Sequence, residues 1–459
     1  MSDLTNPGAA AQSTASNDRQ SYFDELVTTA TTTLQGDEVL LANLAGEATD
    51  FIRLNNNDVR QAGSVDQRKL SVDLIEGKRH VGGTINLTGD LSMDDARVTA
   101  LLGQLRDQRR LVPEDPYLLY NTEPTSTDTV KTGDIPTPDE ALADIRSAGD
   151  GKDLVGIYAS GDTFHGFANS LGQRNWFQSS TFNLDWCFYL EADKAAKNIY
   201  AGFDWNDDAF ARKVDWSSQQ LTALARDPKV LSPGDYRTYL APRAMEEVMS
   251  LLSYYGAFGR RAHETKQTPF LKMLAGDATL SPQVSISENT AGGVAPNFES
   301  SGFIRPDAVP LVVAGELSNT LVSPRSAQEY GVPTNGAHGG EYPESMEIAP
   351  GTIPTDDVAA TLGTGLFVGN LWYTNFSDMS ACRTTGMTRF ATFWMDDGEI
   401  VAPVSVLRFD DTAFNMLGDR LEGLTDDAEV LIDPSTYVER STASARLPGA
   451  LLSDMRFVL

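Results

Sequence analysis

The chain has 459 residues, too many for one ordinary hydrophobic core, and 41% of them are hydrophobic, enough to fold as two or three domains. Asp and Glu number 64 against 36 Lys and Arg, a formal charge of −28 that repels phosphate backbones and anionic lipid and so argues against nucleic-acid or membrane partners. Two cysteines, Cys187 and Cys382, and four scattered histidines do not make a disulfide scaffold or a Cys-rich zinc module.

Residues 1–19 read as a disordered tail without the apolar core of a secretory signal, and no apolar run approaches membrane-spanning length. A cytoplasmic protein is the simplest expectation. A helix is expected over residues 20–34, with Tyr22, Leu26 and Val27 on one face. Apolar and polar residues alternate over 69–74, Glu76-Gly77-Lys78 reads as a turn, and His80 to Leu87 returns as a second strand. Val98, Leu101, Leu102 and Leu105 then carry helical spacing over 93–110.

Residues 20–111 thus read as a small N-terminal α/β domain, and the Pro-, Thr- and Asp-rich stretch 112–136 as a linker. Thr137-Pro138-Asp139-Glu140 opens the next helix as a capping box with proline in the first turn, and Gly149 stops it. Strands are expected at 154–159, 182–190 and 198–203, followed by an amphipathic helix over 207–226, making residues 137–227 a middle α/β domain. Pro242 starts another helix. After Ser281 short β-rich segments alternate with Gly, Pro and Asn turns, so residues 228–459 read as a large β-rich C-terminal domain. The overall class expected is α+β.

Several catalytic signatures are absent. Gly363-Thr364-Gly365 lacks the third glycine and the βαβ setting of a dinucleotide fingerprint, and no phosphate loop or Gly-x-Ser-x-Gly elbow occurs. His263-Glu264 opens like a zincin helix, but Gln267 and Thr268 stand where the second histidine is needed, and Pro269 interrupts the helix. Cys187 falls in a strand and reads as core. Cys382 has no neighbour to make it a thiolate. Glu246-Glu247 read as a solvated helix face. His338 sits in the glycine-rich run 335–340, which reads as a tight turn or a ligand-facing loop.

The C-terminal half carries an ordered series of motifs: SGFIRPD at 301–307, LVVAGELSNTLVSPRSAQEYGVPTNGA at 311–337, LGTGL at 362–366, NLWY at 370–373, NFSD at 375–378, GMTR at 386–389 and DGEIVAPV at 397–404. RLNNN at 53–57, LTGD at 87–90 and ANSLG at 168–172 fit the same series. Over roughly residues 36–459 the chain resembles the TldD/PmbA family, on its PmbA (TldE) side.

That resemblance implies a small N-terminal α/β unit, a middle unit and a large β-rich C-terminal domain. It implies that TldD members are zinc peptidases with a His-Glu-x-x-x-His helix and a later cysteine. It further implies that PmbA/TldE members share the fold, lack the zinc ligands and assemble with the active subunit. In this chain the zinc helix should follow residues 236–242, where Met245-Glu246-Glu247-Val248-Met249-Ser250 stands without a histidine. The expectation is a subunit with no catalytic residues, no metal ligands and no cofactor of its own. It would pair with a zinc-bearing TldD-type subunit, or with itself, around peptide or unfolded-protein substrates. Peptide-cleft candidates are Thr334, Asn335 and His338 on the glycine-rich loop, the polar-aromatic group Asn370, Trp372 and Tyr373, and Arg389, which suits a peptide carboxylate. The alternatives are a stand-alone peptidase that draws His263, Glu264, His338 and Cys382 together, and a peptide-binding homodimer without catalysis.

Overall fold

The computed structural model describes residues 7–192 and 194–459. Helix α1 (Pro7–Thr32) opens the chain. Residues 1–6 of the expected tail lie outside the described residues, and from Pro7 the segment is helical instead. The Ser16 hydroxyl accepts from the Trp176 indole at 3.0 Å, and Arg19 pairs with Asp162 at 2.8 Å, so both anchor the helix to the sheet beneath it. Phe23, Leu26, Val27 and Ala30 follow helical spacing and are buried.

Three antiparallel strands come next: β1 (Val39–Asn55), β2 (Asp58–Glu76) and β3 (Arg79–Asn86). Asn56 and Asn57 both hold positive φ, the two-residue turn whose twist suits a tight hairpin. Helix α2 (Leu91–Arg109) packs back on this hairpin and is capped by Asp90. Strand β4 (Thr127–Lys131) lies inside the expected linker. The capping box of α3 (Pro138–Ala148) forms as expected, with Thr137 and Glu140 bonding reciprocally. Then follow β5 (Asp153–Asn169), β6 (Arg174–Glu191), β7 (Lys194–Gly202) and α4 (Asp207–Leu224).

These strands form one sheet in the order β3-β2-β1-β5-β6-β4, with β7 also on β6. The segments expected as separate N-terminal and middle domains are therefore one layer, joined where β1 pairs with β5 from Leu41↔Asn169 to Leu54↔Gly156. The first part of β6 pairs with β4 in parallel, and the rest pairs with β7. The linker is thus part of the sheet, because it returns to fill the edge that β7 leaves open.

The C-terminal region starts with β8 (Gly234–Leu240) and α5 (Pro242–Tyr254), then the short helices α6 (Arg260–Glu264) and α7 (Leu271–Ala275). Strands β9 (Ile286–Glu288), β10 (Val309–Val313) and β11 (Glu316–Leu317), helix α8 (Pro324–Tyr330), β12 (Ser345–Ile348) and α9 (Val358–Leu362) precede the long strands. Those are β13 (Gly365–Asp378), β14 (Arg383–Asp396), β15 (Glu399–Pro403), β16 (Arg408–Thr412), β17 (Leu421–Ile432) and β18 (Ser444–Phe457). They build an eleven-stranded sheet. Strand β8 pairs with β13 on one side and with β18 on the other, so β8, β13, β14, β16 and β18 close into a ring. The expected α+β class, with a large β-rich C-terminal domain, is what the structure shows.

The main C-terminal core includes Ile199 and Ala201 of β7 beside Met245, Val248 and Leu252 of α5, so the two sheets bury apolar surface against each other. Polar contacts reinforce this join. The Asn183 amide donates to the Ile432 carbonyl at 2.8 Å, and the buried Arg440 guanidinium donates to the Thr181 hydroxyl at 2.8 Å.

Candidate functional site

Helix α5 begins with Pro242 in its first turn, after the Ala241 amide has bonded the Val368 carbonyl of β13. Ala244, Met245, Val248, Met249, Leu251 and Leu252 are buried. The same periodicity places Arg243, Glu246 and Glu247 together on the more polar side. Arg243 pairs with Glu246 and lies 3.9 Å from Glu247. Burial raises the Glu247 carboxyl above the usual range, and the cations Arg243 and Lys197 partly offset it.

Lys197 reaches this group from β7, across the join between the sheets. It pairs with Asp185 of β6 at 2.6 Å and stands 5.9 Å from the Phe390 ring. Cys187 lies beside this pair, and burial pushes its thiol up to about 11, which leaves it protonated and inert near neutral pH. Arg389 of β14 completes the cluster. Its guanidinium lies 4.0 Å from the Trp372 ring centroid and 4.9 Å from that of Phe390, and it makes no ion pair among the described residues. Asn370 pairs with Arg389 in the β13–β14 register. Irregularities in that register free Tyr373 and Phe390, both at positive φ, to turn away from the regular pleat. Trp372 is 46% exposed and Tyr373 is 74% exposed, so the guanidinium sits on an open aromatic platform.

The glycine-rich loop is built differently. Thr334 donates to the Val322 carbonyl at 2.7 Å, and the Asn335 amide bonds Val322 and Thr320. His338 bonds the Gly340 amide and the Tyr342 carbonyl, both at 3.0 Å. These three side chains shape their own loop. What the loop presents is Gly340 and Glu341, on the rim of a cleft of about 460 Å³ at the C-terminal end of α5. Tyr254, Tyr255, Arg261 and Met379 line the same cleft. Glu341 is buried but fully satisfied, accepting from the Arg261 amide and from the Ser323 amide and hydroxyl. Tyr255 stands edge-on to Phe376 of β13 at 5.2 Å, which ties this cleft to the strand that carries Trp372 and Tyr373. The adjacent aromatics 254–255 were a usable signal for it. Lys197 left none, since one lysine in a strand is unremarkable.

The fit of a zinc ion can be judged from these donors. On α5 the polar side carries two carboxylates, Glu246 paired with the Arg243 guanidinium and Glu247 beside it, with no imidazole. His263 bonds the Ala257 carbonyl at 2.7 Å, and Glu264 pairs with Arg260. Cys382 is fully buried, its thiol pushed up to about 12. Among the described residues no three His, Cys, Asp or Glu side chains are placed to hold a metal. A helix that offers a salt bridge does not fit a catalytic zinc, which needs three protein ligands around one open position.

The fold is a large β-rich domain joined to an α/β sheet. Residues 233–458 match the family model described as the PmbA/TldA metallopeptidase C-terminal domain. Through this domain the chain belongs to the TldD/PmbA family, as the motif series implied. Solved structures share the whole fold. TldE from Thermococcus kodakarensis superposes with a TM-score of 0.75 at 14% identity, over 95% of this chain and 100% of its own. A proposed modulator of a DNA gyrase from Thermotoga maritima gives 0.70 at 13%, over 95% and 99%. A protein of the same description from Bacteroides thetaiotaomicron gives 0.70 at 14%, over 96% and 98%. No curated protein matches the sequence. Among the described residues no helix is long and apolar enough to cross a membrane.

Proposed function

We propose that this chain is a PmbA/TldE-like, non-catalytic subunit of a TldD/TldE-type zinc peptidase system. It acts in the cytoplasm, pairs with a TldD-type subunit that carries the zinc, and helps bind and channel peptide or unfolded substrates. The observation that supports this reading is the polar side of α5, where Arg243, Glu246 and Glu247 form an ion-pair group in place of metal donors. Beside it, Arg389 on Trp372 supplies a cation suited to a peptide carboxylate, and the exposed Trp372 and Tyr373 rings supply apolar surface for side chains.

The test is metal content by mass spectrometry, with peptidase activity measured with and without a TldD-type subunit. The expected outcome is no stoichiometric zinc in this chain and activity only with the partner. About one zinc per chain, with activity alone, would sink the proposal. Arg389→Ala is expected to raise the KM of the assembled peptidase several-fold with little change in kcat, because the cation binds substrate away from the reacting atoms.

A further inference from the structure

The cleft at the C-terminal end of α5 lies outside both the ion-pair group and the Arg389 platform. Its shape starts from one glycine. Gly256 holds φ +78, and a Cβ there would stand 2.6 Å from that of Ala262. Glycine at this point lets the chain leave α5 sharply and enter α6. The turn sets Arg261 and Ala262 in the wall of the same cleft as Tyr254 and Tyr255.

The two tyrosines end α5 without being drawn into the core. Tyr254 is 79% exposed and Tyr255 39%, and their rings meet edge to face with centroids 5.3 Å apart. Met379 adds a thioether to the wall. A concave site of about 460 Å³ is large enough for a ligand group, and exposed rings around a concavity mark a binding surface.

Charge narrows the choice of occupant. Glu264 pairs with Arg260, and buried Glu341 already has the Arg261 amide and the Ser323 amide and hydroxyl on it. The Arg261 guanidinium makes no ion pair and no side-chain hydrogen bond among the described residues, and the residue is exposed. Arg261 and Glu341 both line the cleft, so a charged ligand of either sign meets a like charge there. A neutral aromatic ring meets none. Its face suits the guanidinium, and its edges suit the tyrosine rings and the Met379 sulfur. The chain uses this chemistry within itself, with Arg389 4.0 Å from the Trp372 centroid and Arg325 5.2 Å from that of Tyr117.

We propose that this cleft is a subsite for an aromatic side chain of the substrate peptide, held between the Tyr254–Tyr255 pair and the face of the Arg261 guanidinium. The proposal rests on the peptide-binding reading above and gives it a sequence preference. It also gives a position. Trp372, beside the Arg389 guanidinium, and Phe376, against Tyr255, lie on one strand, with Met379 just beyond its end. Along β13 the two sites are therefore roughly 15–20 Å apart. An extended peptide whose C-terminal carboxylate sits on Arg389 reaches the cleft with the side chain about five or six residues back.

The test is calorimetric titration of the full chain alone, with no TldD-type subunit present. The probes are acetylated Gly/Ser peptides of about seven residues with a free C-terminus, carrying one Phe at each position in turn. Cyclohexylalanine, which has similar apolar bulk but no π face, replaces Phe in a second series. Phe at the best position should bind at least about tenfold tighter than the Gly/Ser parent, and cyclohexylalanine about threefold weaker than Phe. Arg261→Gln should abolish the preference for Phe over cyclohexylalanine. Tyr254→Ala should lower Phe affinity about fivefold. Arg389→Ala should weaken all the peptides alike and leave the Phe preference intact. Arg261 and Tyr254 are exposed, so matching circular dichroism spectra serve as the fold control. Peptides that bind with no aromatic preference would overturn this inference alone, as would a preference unmoved by Arg261→Gln and Tyr254→Ala. A preference that peaks beside the C-terminus and vanishes in Arg389→Ala would place the ring on Trp372 and also overturn it. Absence of binding by every peptide would overturn the peptide-binding reading together with this one.

Discussion

Two titratable residues give the molecule a defined pH response. Glu299 is buried and accepts from the amides of Ser301 and Phe303, with no cation among its contacts, and burial raises its pKa to about 7. The folded state therefore holds a proton that the unfolded state has released. Below pH 4.5 the group is neutral in both states and costs nothing. As pH rises through 7 the folded state must carry a buried charge, a penalty on the order of 3 kcal/mol. Glu299→Gln should leave the melting temperature nearly unchanged at pH 4.5 and raise it at pH 8. Equal shifts at both values would rule this account out. His80 works in the same direction, its pKa raised by Asp73 at 2.8 Å and Asp115 at 3.5 Å. Its contribution is fully present below pH 6.5 and lost as pH rises through the folded value. Asp115 also pairs with Arg325 of α8, so His80→Ala should loosen that contact in mild acid and have little effect at pH 8.5. Proteolysis rates at the two pH values are a suitable readout.

Among the elements, α3 and β5 show where sequence reasoning is strong and where it ends. The capping box of Thr137 and Glu140 is local chemistry and could be read directly, and Thr137→Ala should cost about 1 kcal/mol in urea unfolding. Gly161 was not legible as special. It holds φ +130 in the middle of β5, and a Cβ there would stand 2.2 Å from the Ala48 carbonyl oxygen of the neighbouring strand. Gly161→Ala should therefore destabilise more than the cap does, and a thermal melt matching the native chain would contradict this. The reason one is visible and the other not is distance along the chain. A cap needs residues three apart, whereas Gly161 is constrained by a partner in β1 more than a hundred residues earlier. The same reason hid the single sheet. Strand β5 could be read over residues 154–159, whereas β1 was not read as a strand, and nothing in either names the other. Strand β4 was hidden by composition, because Thr127-Asp128-Thr129-Val130-Lys131 has one large apolar residue and sits among prolines and threonines. At the site, the aromatic–Arg group was legible as Trp372, Tyr373 and Arg389. Lys197 and Asp185 were not, since they join the cluster only when the two sheets meet.

For the molecule as a whole, the charge of −28 is the dominant long-range term. Many of its ion pairs are partly buried, so salt screens them less than it screens the net repulsion. Screening the net repulsion should outweigh what salt removes from them, so the melting temperature should rise from low to molar KCl. A flat or falling curve would show that the acidic surface is not a source of strain.

The ring in the C-terminal domain has a consequence for biosynthesis. Strand β8 lies between β13, more than a hundred residues later, and β18, which pairs Phe457 with Gly234. A nascent chain that has exposed β8 and α5 but not β18 holds an apolar helix that β7 covers only in part and a strand with neither of its partners. This half cannot be completed piecemeal during translation. It has to wait, open, until residue 457 has left the ribosome, and pauses upstream of that point would lengthen the interval in which the growing chain needs a chaperone.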